Sequence, residues 1–182
     1  VSIPSISSDE DRIASFLLEE LRSIFPSADI KRTGNNCLVT LGEGNAEHHL
    51  LLCSHIDTVQ AADGWTYDPF TATHKNGRIY GLGANDALAS VVSMISAASR
   101  VQKDLPSGVS ITLALVSEEE KGDKGFFTIE PQIKYSSAIF GEPTDLRVGV
   151  AMRGYMHLRV KGDGSACHAS RPWEGKNAIF DL

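Results

Sequence analysis

Residues 50–60 read LLLCSHIDTVQ. Leu50 to Ser54 have the length and the unbroken apolar character of a strand buried on both faces. The run then places His55 and Asp57 two positions apart. A buried strand that ends on an imidazole and a carboxylate needs something for that pair to hold. In open α/β sheets, sites form beyond the carboxyl ends of the strands, so this stretch sets both the fold class and the place to look for chemistry.

Outward from it, the same arrangement recurs. GVSITLALVS, residues 108–117, is a second continuous apolar strand, and it runs into Glu118, Glu119 and Glu120. SSAIFG, residues 136–141, is a shorter strand that runs into Glu142. A helix rich in small residues, DALASVVSMISAASRVQ, starts at Asp86, which its position makes a candidate N-cap. Upstream, SSDEDRIASFLLEELRSIF reads as an amphipathic helix with Ser7 or Ser8 as N-cap and Ile13, Phe16, Leu17, Leu21 and Ile24 on one face. NCLVTLG and HHLLLCS read as strands on either side of the turn-like EGNAE, and Asn76-Gly77 marks a hairpin turn. Together these elements predict an α/β sandwich with a largely parallel centre. After about residue 150 the alternation strengthens: RVGVAMRG and YMHLRVKG predict a strand pair in a separate α+β unit. The predicted division is 1–150 and 151–182.

Composition narrows the function classes. The 182 residues are 42% hydrophobic, enough for one sizeable core, and the net charge of -6 argues against a broad nucleic-acid surface. No apolar run approaches the ~20 residues needed to span a bilayer, and Val1 opens a polar segment and not a leader. Cys37, Cys53 and Cys167 are an odd number without CxxC spacing, which favours reduced thiols in the cytoplasm. The absence of an initial methionine places the expected native start upstream, and with Asn177 placed to cap a helix just begun in EGKNAIFDL, the sequence reads as an N-terminal portion of a longer chain.

A cluster of one histidine and several carboxylates is stabilised by cations, because carboxylates that close raise each other's pKa. Imidazole nitrogen with carboxylate oxygens suits zinc or a similar divalent ion, and a bridging carboxylate can hold two. Asp57 then orients the His55 imidazole. Two other readings are weaker. GLGAND before a helix mimics a dinucleotide fingerprint, but Asp86 stands where the third glycine belongs and repels a pyrophosphate. Cys167-His168 mimics a nucleophile and base, but neighbours on an extended chain point opposite ways, which leaves Cys167 as a small packing residue. Glu118 reads as a solvated charge.

SHIDTV, GLGANDA, SEEEKG and GEPTD, in this order and in these strand contexts, resemble the zinc-dependent M20 family of amidohydrolases and peptidases. That family includes acetylornithine deacetylases, succinyl-diaminopimelate desuccinylases, aminoacylases and glutamate carboxypeptidases. GSACHASRPWEGKNAI resembles the signature of its lid and dimerisation domain. The resemblance implies a three-layer α/β/α catalytic domain followed by the start of a ferredoxin-like lid. It implies two zinc ions per site, with cobalt or manganese as alternatives. His55 and Glu142 would bind the first metal, Asp86 would bridge, Glu120 would bind the second, and Glu119 would be the general base. His168 would reach a substrate oxygen from the lid, often in the partner subunit's site. A cis peptide after Asp86 is also implied. GLGANDA and GEPTDLRVG look closest to the deacetylases of N-acyl-ornithine type, implying an N-acyl amino acid substrate, a role in arginine biosynthesis and a homodimer formed through the lid. Leu82 departs from the family's usual basic residue. The family's last metal-binding histidine comes from a C-terminal segment, and His48, His49, His74 and His157 stand in no matching motif. The 182-residue chain by itself is therefore expected to be inactive. A non-catalytic homologue that only dimerises or binds ligand is the alternative from another class.

Overall fold

The computed structural model describes residues 1–154, 156 and 158–180. It separates into two compact units, Val1–Leu146 and Arg147–Leu182.

The first unit is built on a five-stranded sheet in the order β1-β2-β6-β3-β7. The strands are β1 (Asp29–Thr33), β2 (Asn36–Gly42), β3 (His48–His55), β6 (Val109–Val116) and β7 (Ser137–Phe140). β4 (Thr73–Lys75) and β5 (Arg78–Tyr80) form a separate hairpin. Its turn residues Asn76 and Gly77 have φ of 50° and 71°, the left-handed pair that a two-residue turn requires. β6, β3 and β7 are parallel, whereas β1-β2 and β2-β6 are antiparallel. β6 lies between β2 and β3, so the two strands flanking EGNAE are not paired to each other.

Alternation within each central strand feeds two cores. Cys37, Val39, Leu41, Leu52, Ile111, Leu113 and Leu115 pack with helices α1 (Asp11–Ile24) and α2 (Leu88–Val101). Leu38, Leu51, Cys53, Ala114 and Val116 face the other way, onto Ile129 of α3 (Lys124–Ile129) and Phe126. Helices thus cover both faces of the sheet, and the unbroken apolar runs of β3 and β6 follow from that double coverage.

Several local expectations are corrected. The N-cap of α1 is Glu10 and not Ser7 or Ser8, and no side chain caps the helix. Phe16 is 45% exposed, although Ile13, Leu17 and Leu21 are buried. α2 begins at Leu88 with Ala87 as N-cap, so Asp86 caps nothing; its carboxylate faces His55 instead. β1 went unpredicted because its residues, DIKRT, carry almost no apolar signal. Its pairing is set by the two-residue turn Gly34-Asn35, with Thr33 opposite Asn36.

In the second unit the predicted strand pair is absent among the described residues, and Tyr155 and His157 lie outside them. Val148, Val150, Met152, Met156, Leu158 and Val160 are between 68% and 94% exposed. Alternation stabilises a strand only where a neighbouring strand and a covered face exist, and the described residues supply neither. Among its described residues the unit holds a short 3-10 turn (Pro172–Glu174) and a Ser165–Lys176 bridge. Asn177 Oδ1 does accept the Ile179 amide, closing a single turn. Cys167 is exposed and is not a packing residue. No helix among the described residues is long and apolar enough to cross a membrane.

Candidate metal centre

Parallel register brings the site together. Cys53 is opposite Phe140, so His55 and Glu142, each two residues further on, come level. His55 itself pairs with Val116, which puts the segment after β6 on its other side. The Gly141 amide donates to the Cys53 carbonyl at 2.8 Å, and Ser54 Oγ donates to the Gly141 carbonyl at 2.8 Å. These bonds hold the ends of β3 and β7 together. Asp86 arrives from the GLGAN loop through a cis peptide to Ala87. Gly83 has φ of 74°, and a Cβ there would come within 2.6 Å of Thr58 Cγ2, so only glycine lets the loop lie this close to the strand end.

His55 is buried at the floor, 1% exposed. Its Nε2 is 3.0 Å from Asp86 Oδ1, 3.9 Å from Glu119 Oε2 and 3.9 Å from Glu142 Oε2. Ligand atoms of His55, Asp86 and Glu120 lie within 4.8 Å of one another. The structure therefore assembles His55, Asp86, Glu119, Glu120 and Glu142 at one edge of the sheet. His168 lies in the second unit, exposed, with Nδ1 2.9 Å from Ser170 Oγ.

Asp57 does more than orient the imidazole. His55 Nδ1 meets the Asp57 main-chain carbonyl at 3.0 Å, while the Asp57 carboxylate is further away, at 3.6 Å. That carboxylate, fully buried, instead accepts the Glu119 amide at 3.1 Å, the Glu120 amide at 3.2 Å and Ser7 Oγ at 2.7 Å. Burial disfavours its charge, but these hydrogen bonds and the His55 contact outweigh burial and hold its pKa below the ordinary value.

The carboxylates around His55 behave differently. Burial, then the charges of Glu142, Asp123 and Glu120, push Glu119 up to about 7 against the opposing pull of His55. Glu120 is raised by burial and by Asp86, and Glu142 by burial with Asp86 and Glu120. For His55, burial lowers the pKa but Asp57, Asp86, Glu142 and Glu119 together raise it to about 10. Among the described residues the ion pairs at these carboxylates all run to His55. Negative charge gathered without a matching Lys or Arg, around a nitrogen donor at ligand spacing, fits a divalent cation.

Three supporting residues escaped the sequence reading. Ser7, expected to cap a helix, donates to Asp57. Glu10, 1% exposed, accepts the Glu118 amide at 3.2 Å. Asn36 Oδ1 accepts the Ser117 amide at 2.9 Å. Glu118 is half-buried and accepts Ser8 Oγ at 3.0 Å, so it is not simply a solvated charge. No local pattern marks such residues, since each acts on a segment far along the chain.

An α/β sheet whose carboxyl edge gathers one imidazole among carboxylates presents a donor set suited to a divalent cation. The chain belongs to peptidase family M20/M25/M40, whose sequence model matches residues 51–175. It is 37% identical over 146 residues to an acetylornithine deacetylase of Proteus mirabilis, covering 79% of this chain and 37% of that protein. It is 32% identical over 180 residues to a probable succinyl-diaminopimelate desuccinylase of Staphylococcus aureus, covering 89% of this chain and 43% of that one. Among solved structures it resembles an M20 family metallo-carboxypeptidase of Sulfolobus solfataricus, with a TM-score of 0.64 and 27% identity over 76% of this chain and 34% of that chain. The chain thus spans less than half the length of these relatives.

Proposed function

We propose that the protein is a metal-dependent amide hydrolase that removes an N-acyl group from an amino acid, in the manner of an acetylornithine deacetylase. The observation that carries this reading is the gathering of Asp86, Glu119, Glu120 and Glu142 around the buried His55. His55 and Glu142 would hold one zinc ion, Glu120 a second, and Asp86 would bridge them; cobalt or manganese would suit the same donors. Bound there, a divalent cation supplies Lewis acidity that polarises the amide carbonyl and acidifies water.

The chain's own groups supply the proton transfers. Glu119 Oε2 takes a proton from the attacking water as the water oxygen bonds to the carbonyl carbon. The carbon–nitrogen bond then breaks, and Glu119 passes the proton to the departing amine. A carboxylate within hydrogen-bond reach of the attacking water suits both halves of that task. Asp57 holds the Glu119 and Glu120 amides, so base and ligand keep a fixed spacing. His168 would donate to the developing oxyanion once the second unit serves as a lid, and that unit would pair in a homodimer. The similarity to a desuccinylase and to a carboxypeptidase favours two competing substrate classes, succinyl-diaminopimelate and peptides with a free carboxylate. The three free cysteines suit a reducing cytoplasm.

The test compares hydrolysis of N-acetylornithine, N-succinyl-diaminopimelate and a dipeptide by the natively expressed protein loaded with zinc. Glu119→Gln should bind metal like the wild type and lose roughly 10²- to 10⁴-fold in turnover. Glu120→Gln should lose metal from one site. If both variants keep metal and activity, the acidic turn has no catalytic part.

A further inference from the structure

Three consecutive amides in the acidic turn each donate to a buried carboxylate. The Glu119 and Glu120 amides go to Asp57, and the Glu118 amide goes to Glu10 Oε1 at 3.2 Å. We infer that Glu10, at the start of α1, is a positioning residue for Glu119: it holds the first amide of the turn as Asp57 holds the next two. The inference rests on the proposed role of Glu119 as base.

The bland account of an acidic residue at a helix start is capping. Glu10 does not fit it, because no side chain caps α1. Every acceptor bond of this buried carboxylate leaves the helix. Oε1 takes the Ser8 amide at 2.7 Å as well as the Glu118 amide, and Oε2 takes Asn35 Nδ2 at 3.0 Å. The Glu118 side chain returns the link by accepting Ser8 Oγ at 3.0 Å. The arrangement ties the N-terminal segment, the β1-β2 turn and the acidic turn at one point.

The turn requires such support. Glu118 has φ of 55°, in the left-handed region that a side chain disfavours. A residue keeps that conformation only where its surroundings over-determine it. Changing it swings the following peptide, and with it the Glu119 side chain. Asp57 does not hold Glu118: its carboxylate accepts the Glu119 and Glu120 amides and Ser7, and the Glu118 amide donates to Glu10. Glu10 thus completes a three-point clamp whose third point lies 108 residues away in sequence.

The test uses the natively expressed protein with four substitutions. Glu10→Ala removes the acceptor, and Glu10→Asp keeps the charge but shortens the reach by one methylene. Glu10→Gln keeps an oxygen for the two amides, and Leu17→Ala weakens α1 from its buried apolar face. Two readouts are taken: hydrogen exchange at the Glu118, Glu119 and Glu120 amides, and kcat and KM on N-acetylornithine with zinc. Glu10→Ala and Glu10→Asp should lose protection at those amides and lose roughly 10- to 100-fold in kcat, with KM little changed. Glu10→Gln should keep both, and Leu17→Ala should lower the melting temperature without either effect. Unchanged protection or kcat in the first two variants, or equal losses in Leu17→Ala, overturns the inference. A wild type inactive on all three substrates refutes the hydrolase reading alone, and the exchange data still decide the role of Glu10.

Discussion

His55 and Asp57 are two residues apart, yet their environments push them in opposite directions. The imidazole is held toward its charged form by carboxylates, and the Asp57 carboxylate by hydrogen-bond donors. Because Asp57 is depressed on folding, its contribution is present above its unfolded value of 3.8 and is lost as pH falls through the lower folded value. Asp57→Asn should therefore destabilise the protein at neutral pH by about 1–3 kcal/mol, the cost of leaving a buried donor unpaired. The difference from wild type should shrink as the pH of urea melts is lowered from about 5 toward 2. A difference constant with pH would show that the carboxylate's charge contributes nothing. The same residue shows how far a sequence can be read. The His-x-Asp spacing announced a supported histidine, but the partners of the Asp57 carboxylate lie 50 to 63 residues away.

At the scale of elements, the site depends on how α3 sits beneath the end of β6. Gly125 is buried in α3, and a Cβ there would overlap the Ser117 carbonyl and reach within 2.7 Å of Asn36 Oδ1. Asn36 spans the same contact, donating to the Gly125 carbonyl at 3.2 Å. Gly125→Ala gains up to about 1 kcal/mol in helix propensity. Overpacking against rigid backbone should exceed that gain, giving a net loss of about 1–3 kcal/mol in urea melts. Turnover should fall too, since Ser117 leads directly into the acidic turn. A neutral or stabilising substitution would mean that α3 slides at no cost. Strand reading was reliable where an apolar run marks the strand, including the exposed β7, and missed the polar β1. β3 and β6 announced themselves by unbroken apolar runs, whereas polar β1 is held by its turn and by pairing with β2.

For the whole molecule, the proposed metal links stability to pH. In the metal-free protein the raised His55 contributes stability that is complete below 6.5 and lost as pH rises through about 10. A cation must displace that proton, so affinity should strengthen as pH rises and binding at pH 7 should release protons. Zinc calorimetry in two buffers of different ionisation enthalpy measures the release; no release at pH 7 would contradict the assigned donor set. Free zinc at about 100 times its Kd should stabilise the fold by about 2.7 kcal/mol, reversed by EDTA.

Local sequence by itself determined where the central strands run, where a two-residue hairpin turn falls, and which acidic and imidazole side chains end up at one sheet edge. Those features are encoded within a few residues, because burial on two faces demands an apolar run and a site begins where that run stops. Only the tertiary structure decided that β6 separates β2 from β3, that Asp86 faces His55 and does not cap α2, and that Ser7, Glu10 and Asn36 hold the acidic turn. Hydrogen bonds between the N-terminal segment and the site span 50 to 114 residues. No local periodicity records such pairings, because each donor meets its acceptor only after the sheet has brought distant segments to the same edge.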